Sequence, residues 1–213
     1  MNFSLENVKS NVRNLLEKLS AQSFIKNFYL AGGTAVALFF KHRRSDDLDF
    51  FSDQSFRQVS LIMNLKKAGK FENLKSAEDT LIGKLAGIKV SFFTLPYKLL
   101  ERPLQHKNLR IATLVDLALM KILAVADRGT KRDFIDLYFL CSNVKPLDEF
   151  LILFQKKFGT YDFNIQHIIK SLTYFNDANK GEMPEMYIDI KWDHVKRFFL
   201  RERLSLAKKF FGI

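Results

Sequence analysis

The sequence predicts an α+β fold on three observations. Residues 27–31, NFYLA, form a short apolar run that ends at a glycine pair, which is typical of a buried strand and a turn. Residues 47–51, DLDFF, alternate polar and apolar side chains, as a half-buried strand does. From Leu109 the pattern becomes helical. We therefore expect an N-terminal α/β core over residues 1–108 and a helical part over residues 109–213.

The other elements follow from apolar spacing and from helix or turn signals. Residues 5–20 carry apolar side chains at helical spacing, and Ser4 is placed to cap that helix. A helix is expected to begin near Thr34, directly after the first strand. Gly83 and Gly87 punctuate a strand hairpin that Pro96 ends. Further helices are predicted over residues 55–69, over 109–143 with a break near Gly129, and over 146–158, 164–176 and 191–210.

Composition bounds the class of protein. The chain has 213 residues, 47% of them apolar, and few glycines and prolines, which favours a globular protein over a disordered one. Its single cysteine, Cys141, excludes an intramolecular disulfide and a multi-cysteine zinc site, and we expect it to be buried. The N-terminus is amphipathic rather than a signal peptide, and no apolar run of about 18 residues occurs. A cytoplasmic protein without a membrane span is expected.

The charge points to an acidic partner. The formal net charge is +11, and residues 191–213 alone contribute +5. Charge of this size bears on partners rather than on fold, so nucleic acid or an acidic protein is favoured. The alternative is an ordinary soluble basic surface.

The glycine pair at Gly32 and Gly33 is the first candidate for chemistry. A strand that turns straight into a helix through glycines exposes backbone N–H groups at the helix N-terminus, where the helix dipole favours an anion. Thr34 adds a hydroxyl. A phosphate could bind there, although the same three residues also make an ordinary strand-to-helix turn.

Two aspartates follow on the next predicted strand. Strand geometry sets Asp47 and Asp49 on one face and sends Leu48 and Phe50 into the core. Adjacent carboxylates repel each other unless a cation lies between them, and carboxylate oxygens are ligands that Mg²⁺ prefers. The alternative is a solvated acidic turn, which is how we interpret Asp46.

A third pattern carries opposite charges at helical spacing. On one continuous helix, Lys121, Arg128, Arg132 and Asp136 would share a face, although Gly129 can interrupt it. Lysine and arginine facing a cleft would bind a triphosphate. The alternative is a salt-bridged helix surface in which Arg132 and Asp136 pair at i, i+4.

Together, GGT, DDLDF and KILAVADRGTKRDFIDLYFL resemble the AbiEii/AbiGii toxin family of nucleotidyltransferases, found in abortive-infection and toxin–antitoxin systems. The resemblance covers about residues 25–140, and the Lys-x6-Arg-x3-Arg-Asp-x2-Asp-Leu pattern is its most specific part. It implies a nucleotidyltransferase-like mixed sheet flanked by helices. It implies a toxin with a cognate antitoxin partner.

The resemblance also implies roles for individual residues. Gly32, Gly33 and Thr34 would hold the nucleotide phosphates, and Asp47 and Asp49 would bind a catalytic Mg²⁺ or Mn²⁺. It implies that Lys121 and Asp136 belong to the active cleft. We assign Lys121 to the triphosphate, and the charge pattern adds Arg128 and Arg132. Asp136 would either orient Lys121 or accept a proton.

One residue departs from the nucleotidyltransferase pattern. These enzymes usually carry a third carboxylate on a neighbouring strand, which here is GIKVSFF. Its alternation sets Ser91 where the acid is expected, and serine is neither a carboxylate base nor a strong Mg²⁺ ligand. Glu78 and Asp79 are near in sequence, but nothing assigns them to the cleft.

The leading hypothesis is metal-dependent transfer of a nucleoside monophosphate from an NTP to a hydroxyl, with RNA, and tRNA in particular, as the acceptor that the basic C-terminus favours. A second hypothesis is a nucleotide- or RNA-binding module with reduced catalysis, of which Ser91 would be the sign. A third is a phosphotransferase that uses the same cleft.

Overall fold

The structure, a computed structural model, describes residues 2–159 and 163–212. One sheet contains seven strands in the order β3-β4-β5-β2-β1-β7-β6. In chain order the strands are β1 Tyr29–Ala31, β2 Leu48–Ser52, β3 Phe71–Ala77, β4 Thr80–Leu85, β5 Ile88–Thr94, β6 Leu104–His106 and β7 Leu109–Ile111.

The helices fall between and after these strands. Two 3₁₀ helices, Leu5–Asn7 and Ser23–Asn27, flank the first α-helix. The α-helices are α1 Ser10–Ser20, α2 Gly32–Phe40, α3 Gln58–Ala68, α4 Leu114–Asp127, α5 Lys131–Asn143, α6 Leu147–Phe158, α7 Ile165–Ser171, α8 Asn176–Lys180 and α9 Trp192–Phe211.

The sheet is mixed, because its central strands run in both directions. Strand β1 pairs antiparallel with β2 and parallel with β7, while β2 pairs parallel with β5. Strands β3, β4 and β5 form an antiparallel meander, in which β4 pairs with both of the others. The predicted α+β fold, with a mixed sheet, flanking helices and a helical C-terminal part, is confirmed.

The core face of the sheet follows the alternation of β2. Leu48 and Phe50 are fully buried, as predicted, while Asp49 and Phe51 are partly exposed. Phe50 stacks on Phe92 of β5, with ring centroids 5.0 Å apart. Helix α2 is apolar on nearly every side and is buried along most of its length, which holds its N-terminal turn against the end of β1.

Several predicted element boundaries need correction. Leu109–Ile111, predicted as helical, forms β7, because its backbone pairs with β1 and with β6, a strand that the sequence did not predict. The predicted helix over residues 5–20 is interrupted after a single 3₁₀ turn, which Ser4 caps. The predicted helix over residues 164–176 is divided into α7 and the start of α8.

The chain divides into two compact units, Met1–Thr113 and Leu114–Ile213. The sheet and α1–α3 form the first unit, and α4–α9 form the second. The core of the second unit is aromatic: Phe134 contacts Phe175, Trp192 and Phe199, with ring centroids 5.1–5.9 Å apart. Cys141 is buried there, as expected, and burial raises the pKa of its thiol. Across residues 2–159 and 163–212, no helix is both long and apolar enough to cross a membrane.

Candidate active site

The turn between β1 and α2 brings backbone and carboxylate together. Strand β1 ends at Ala31, and α2 begins at Gly32, whose φ of +71° is a left-handed conformation that favours glycine. A Cβ atom added to Gly32 would lie 2.6 Å from the Asp49 Oδ2 atom. The carboxylate of Asp49 therefore lies directly against the first residue of the helix, and only a residue without a side chain leaves room for it.

The second glycine lies against an arginine that the sequence did not single out. A Cβ atom on Gly33 would overlap the Arg43 guanidinium and would lie 3.1 Å from the Ser45 hydroxyl. Arg43 is only 3% exposed, and its Nη1 donates to the Arg44 carbonyl over 2.9 Å. The basic run at residues 41–44 was visible in the sequence, but nothing in that run indicated which residue would be buried at the helix N-terminus.

Thr34 connects the helix to the aspartate segment. Its buried hydroxyl lies 2.9 Å from Ser45 Oγ and also donates to the Asp47 carbonyl. The side chain therefore fixes the backbone just before β2. Its predicted contact with a nucleotide phosphate stays a prediction.

The three aspartates of the DDLD segment have different environments. Asp46 accepts from Arg44 over 2.6 Å and lies 4.0 Å from Lys9, so it belongs to a surface ion-pair group. Asp47 precedes β2, and its half-exposed carboxylate lies 4.0 Å from the Lys89 ammonium. Asp49 lies within β2.

The sheet register brings Ser91 beside Asp49. Across the sheet, Asp49 of β2 is paired with Ala31 of β1 on one side and with Ser91 of β5 on the other. Ser91 is 2% exposed. The position at which the sequence led us to expect a third carboxylate is therefore occupied by a buried hydroxyl. Glu78 and Asp79 are exposed in the turn between β3 and β4.

The donor set suits a magnesium ion that keeps part of its shell for substrate. Across the described chain, residues 2–159 and 163–212, no group of three or more metal-binding side chains occurs. Mg²⁺ is nevertheless commonly held by one or two carboxylates together with water and substrate phosphates. Asp49 at the Gly32 turn and the half-exposed Asp47 could supply such a pair.

A Gly32→Ala substitution is expected to disrupt the site. The new methyl group would displace the Asp49 carboxylate, and the left-handed backbone would add a cost of about 1–2 kcal/mol. Gly87→Ala is the matched control, because Gly87 has a φ of +83° and nothing within 4 Å of its added Cβ. Both variants should lose the stability that the left-handed backbone costs, and Gly32→Ala should lose more because of the clash with Asp49. Only Gly32→Ala should lose nucleotide affinity in calorimetry. Equal nucleotide affinity in the two variants would contradict the close approach.

In the second unit, Lys121 lies between two buried carboxylates. Its ammonium on α4 is 2.9 Å from Asp133 Oδ1 and 2.7 Å from Asp136 Oδ2, both on α5. The Lys121 side chain is 6% exposed, and the two carboxylates are almost completely buried. Helix α4 ends at Asp127 and Gly129 has a φ of +49°, so these residues lie on two helices rather than on one continuous helix.

Asp133 belongs to the charged pattern of the sequence but was not predicted to be a site residue. It accepts from Arg128 Nε over 2.9 Å and from the Thr130 hydroxyl over 2.6 Å, in addition to Lys121. The signal was present as Thr130-x-x-Asp133, a capping pattern at the start of α5. Asp136 pairs with Lys121 and not with Arg132, the alternative that the sequence offered. Arg132 is exposed.

Charge around Asp133 makes the stability of this cluster depend on pH. Burial alone would raise the pKa of Asp133, but Lys121, Arg128 and the hydroxyl of Thr130 outweigh it and hold that pKa well below its ordinary value of 3.8. A depressed pKa in the folded state contributes stability above the ordinary value, and this contribution is lost as the pH falls.

We therefore expect the free energy of unfolding of the wild-type protein to fall between about pH 4 and pH 2. The Asp133→Asn variant should be less stable at neutral pH, and its free energy of unfolding should fall less over the same range. Urea unfolding at several pH values measures this difference. Asp177→Asn, in an exposed pair with Lys180, should follow the wild-type pH dependence. Parallel curves for wild type and Asp133→Asn would contradict the assignment.

Comparison with solved structures defines the class of fold. The crystal structure of JHP933 from Helicobacter pylori is 16% identical, with a TM-score of 0.53 over 95% of this chain and 94% of that one. The nucleotidyltransferase toxin MenT4 of Mycobacterium tuberculosis is 12% identical, with a TM-score of 0.52 over 93% of this chain and 84% of that one. The fold is thus the one found in nucleotidyltransferase toxins.

The family itself is shown by sequence. The profile of the nucleotidyl transferase AbiEii toxin family, type IV toxin–antitoxin system, matches residues 14–106 and 94–210. The chain belongs to this family, and membership implies an antitoxin partner. A protein of Aquifex aeolicus (strain VF5) described as uncharacterized, aq_aa25, is 41% identical over 208 residues, which is 93% of this chain and 97% of the relative.

Proposed function

We propose that the protein transfers a nucleoside monophosphate from an NTP to an acceptor hydroxyl on RNA, with tRNA as the expected acceptor, and that it needs Mg²⁺ or Mn²⁺. The observation that carries this proposal is the Asp49 carboxylate against the Gly32 turn, 2.6 Å from where a Cβ would lie. A helix N-terminus with a carboxylate beside it suits a phosphate that arrives together with a cation.

The α2 N-terminus supplies donors for the nucleotide phosphates. The first backbone N–H groups of a helix have no intrahelical partners, and the helix dipole favours an anion at that end. Gly33 leaves room for the Arg43 guanidinium to lie against the first turn of the helix, where it adds positive charge. These features support binding of the phosphates by backbone N–H groups and by Arg43.

Asp47 and Asp49 are the residues proposed to hold the divalent cation. Such a cation, when bound, stabilises negative charge that develops on the transferring phosphoryl group. Asp49 is kept in place by its row in the sheet, between Ala31 and Ser91. The Thr34 hydroxyl, through its bond to the Asp47 carbonyl, holds the segment that carries Asp47. The protein's contribution is mainly positioning.

Lys121 and Asp136 of the second unit remain catalytic candidates. The resemblance assigns Lys121 and Asp136 to the active cleft, and we propose that Lys121 binds the triphosphate together with Arg128 and Arg132. The 2.7 Å contact between Lys121 Nζ and Asp136 Oδ2 favours an orienting role for Asp136 over proton acceptance, since the carboxylate is fully buried and already bonded to the ammonium.

In the proposed reaction, an oxygen of the acceptor hydroxyl bonds to the α-phosphorus and the bond to the β-phosphate oxygen breaks. The hydroxyl proton is released and pyrophosphate leaves. RNA as the acceptor is supported by the net charge of +11 and by the basic C-terminal helix.

The test is incubation of the wild-type protein with each α-phosphate-labelled NTP, Mg²⁺ and total RNA. Label in RNA together with released pyrophosphate is expected. Transfer of a γ-phosphate label without pyrophosphate would instead identify a phosphotransferase.

The second candidate function is a nucleotide- or RNA-binding module with reduced catalysis. The buried Ser91 beside Asp49 is the observation that favours it, because a hydroxyl replaces the expected acid. It predicts NTP binding in calorimetry with no label transfer to RNA under the same conditions.

A further inference from the structure

We propose that a pocket between α5 and α9 binds a base and the adjacent phosphates of single-stranded RNA. Six residues line it, called here the aromatic–arginine pocket: Tyr138, Ser142, His194, Arg197, Phe198 and Arg201. The proposal rests on the proposed RNA acceptor and assigns part of its recognition to the second unit.

The pocket is built by regular helical spacing. His194, Phe198 and Arg201 recur along one face of α9, and Tyr138 and Ser142 lie one turn apart on α5. Its volume of about 620 Å³ is within the range of small-ligand pockets, roughly 300–1,000 Å³. A nucleotide unit is of a size that such a cavity accommodates.

Three rings supply stacking surface. The Tyr138 hydroxyl lies 3.1 Å from His194 Nε2, and the Tyr138 ring meets the Phe198 ring edge to face, with centroids 5.2 Å apart. Tyr138 and Phe198 are partly exposed and His194 is exposed, so part of this aromatic surface faces solvent. Aromatic side chains at a basic groove are the usual platforms on which unpaired bases stack.

Two guanidinium groups accompany the rings. The Arg201 side chain is 75% exposed, and its guanidinium carbon lies 5.8 Å from the Phe198 ring centroid. Arg197 is exposed and donates from Nε to the Asp193 carbonyl over 3.3 Å. None of the six lining residues is acidic, although Glu202, the residue after Arg201, lies 3.6 Å from the Arg201 guanidinium. Guanidinium groups beside aromatic rings suit a phosphate next to a stacked base.

The rest of α9 favours RNA over a protein partner. The helix carries six basic and two acidic side chains. A basic helix face attracts a polyanion whatever its sequence. Binding releases the counterions that were condensed on the phosphates, so the affinity falls as the salt concentration rises. A protein partner such as an antitoxin is the competing occupant, and it is separated from RNA by direct measurement.

The experiment measures fluorescence anisotropy of a labelled, mixed-sequence single-stranded RNA of about 12 nucleotides, without NTP or divalent cation, at several salt concentrations. In the double variant Arg197→Gln/Arg201→Gln, we expect at least about tenfold weaker binding. The slope of log affinity against log salt should be shallower by about 1.4, or about 0.7 for each lost phosphate contact. Phe198→Leu, which keeps an apolar side chain and removes the ring, should weaken binding about tenfold with an unchanged slope.

Arg203→Gln is the matched control, because Arg203 is exposed on the same helix outside the pocket. This substitution should lower the RNA affinity less than about threefold, because it removes one exposed charge that lies outside the pocket. Wild-type affinity and slope in both pocket variants would overturn the proposal. Loss of antitoxin binding without loss of RNA binding would assign the pocket to the protein partner instead.

This outcome is independent of catalysis. RNA affinity is measured in the absence of reaction, so a protein that fails to transfer nucleotides can still show the pocket effect. Conversely, label transfer by a protein whose pocket variants bind RNA normally would support the proposed function and reject the pocket.

Discussion

Asp49→Asn should reduce nucleotidyl transfer by about a thousandfold or more. The substitution keeps the shape of the side chain but removes the charge that would hold a divalent cation at the Gly32 turn. The Asp49 Oδ2 atom lies 2.6 Å from the position that a Cβ on Gly32 would take. Charge stabilisation by a bound metal contributes several kcal/mol to a transition state, and each 1.36 kcal/mol is a factor of ten in rate. The measurement is the initial rate of label transfer to RNA at saturating NTP and Mg²⁺.

Asp46→Asn is the control for this substitution. It makes the same chemical change three residues away, but its carboxylate is partly exposed and lies 2.6 Å from Arg44 and 4.0 Å from Lys9. Such ion pairs contribute little to stability, so we expect the rate to stay within about threefold of wild type. Equal rates for Asp49→Asn and wild type, in proteins with unchanged circular dichroism, would remove Asp49 from the active site.

Asp116→Leu should strongly destabilise the second unit. Asp116 in the first turn of α4 forms an ion pair with Lys157 in the last turn of α6, and both side chains are completely buried. Removing one partner leaves a buried charge without its counter-ion, which costs about 3–5 kcal/mol. Urea unfolding followed by circular dichroism gives the change in the free energy of unfolding.

The double variant Asp116→Leu/Lys157→Met separates a lost charge from lost packing. Replacing both members of a buried pair by apolar residues is often neutral or stabilising, so most of the lost stability should return. Asp148→Asn is the control, because it breaks an ion pair that is partly exposed rather than buried. The Asp148 carboxylate lies 2.6 Å from the Lys209 ammonium, and removing this pair should cost about 0.5 kcal/mol. A double variant as unstable as Asp116→Leu would show that the pair's charge is not the cause.

Patterns that are local in sequence were sufficient for much of the fold. The alternation of Leu48 and Phe50 with Asp47 and Asp49 predicted which side chains enter the core, because a strand has a period of two. The same period predicted that Ser91 would occupy the position beside the aspartates, and the register sets it next to Asp49. Glycine at residue 129 predicted the break between α4 and α5.

Other features depended on partners far away in the chain. The segment Leu109–Ile111 was predicted as helix, since three apolar-rich residues before a long helix resemble its first turn. Pairing with β1 made it a strand instead, because backbone hydrogen bonding to a neighbouring strand overrides weak local propensity. The short strand β6 was missed for the same reason.

The α+β class, the glycine turn with its two aspartates, and the family of the charged Lys121–Asp136 pattern can all be read from the sequence. These depend on short-range spacing, which strand and helix periods translate directly into faces. Three contacts instead depend on tertiary packing: Arg43 is buried against Gly33, Asp133 shares Lys121 with Asp136, and Lys157 lies against Asp116. A buried charge must find a partner wherever packing brings one, and packing joins residues whose separation along the chain carries no signal.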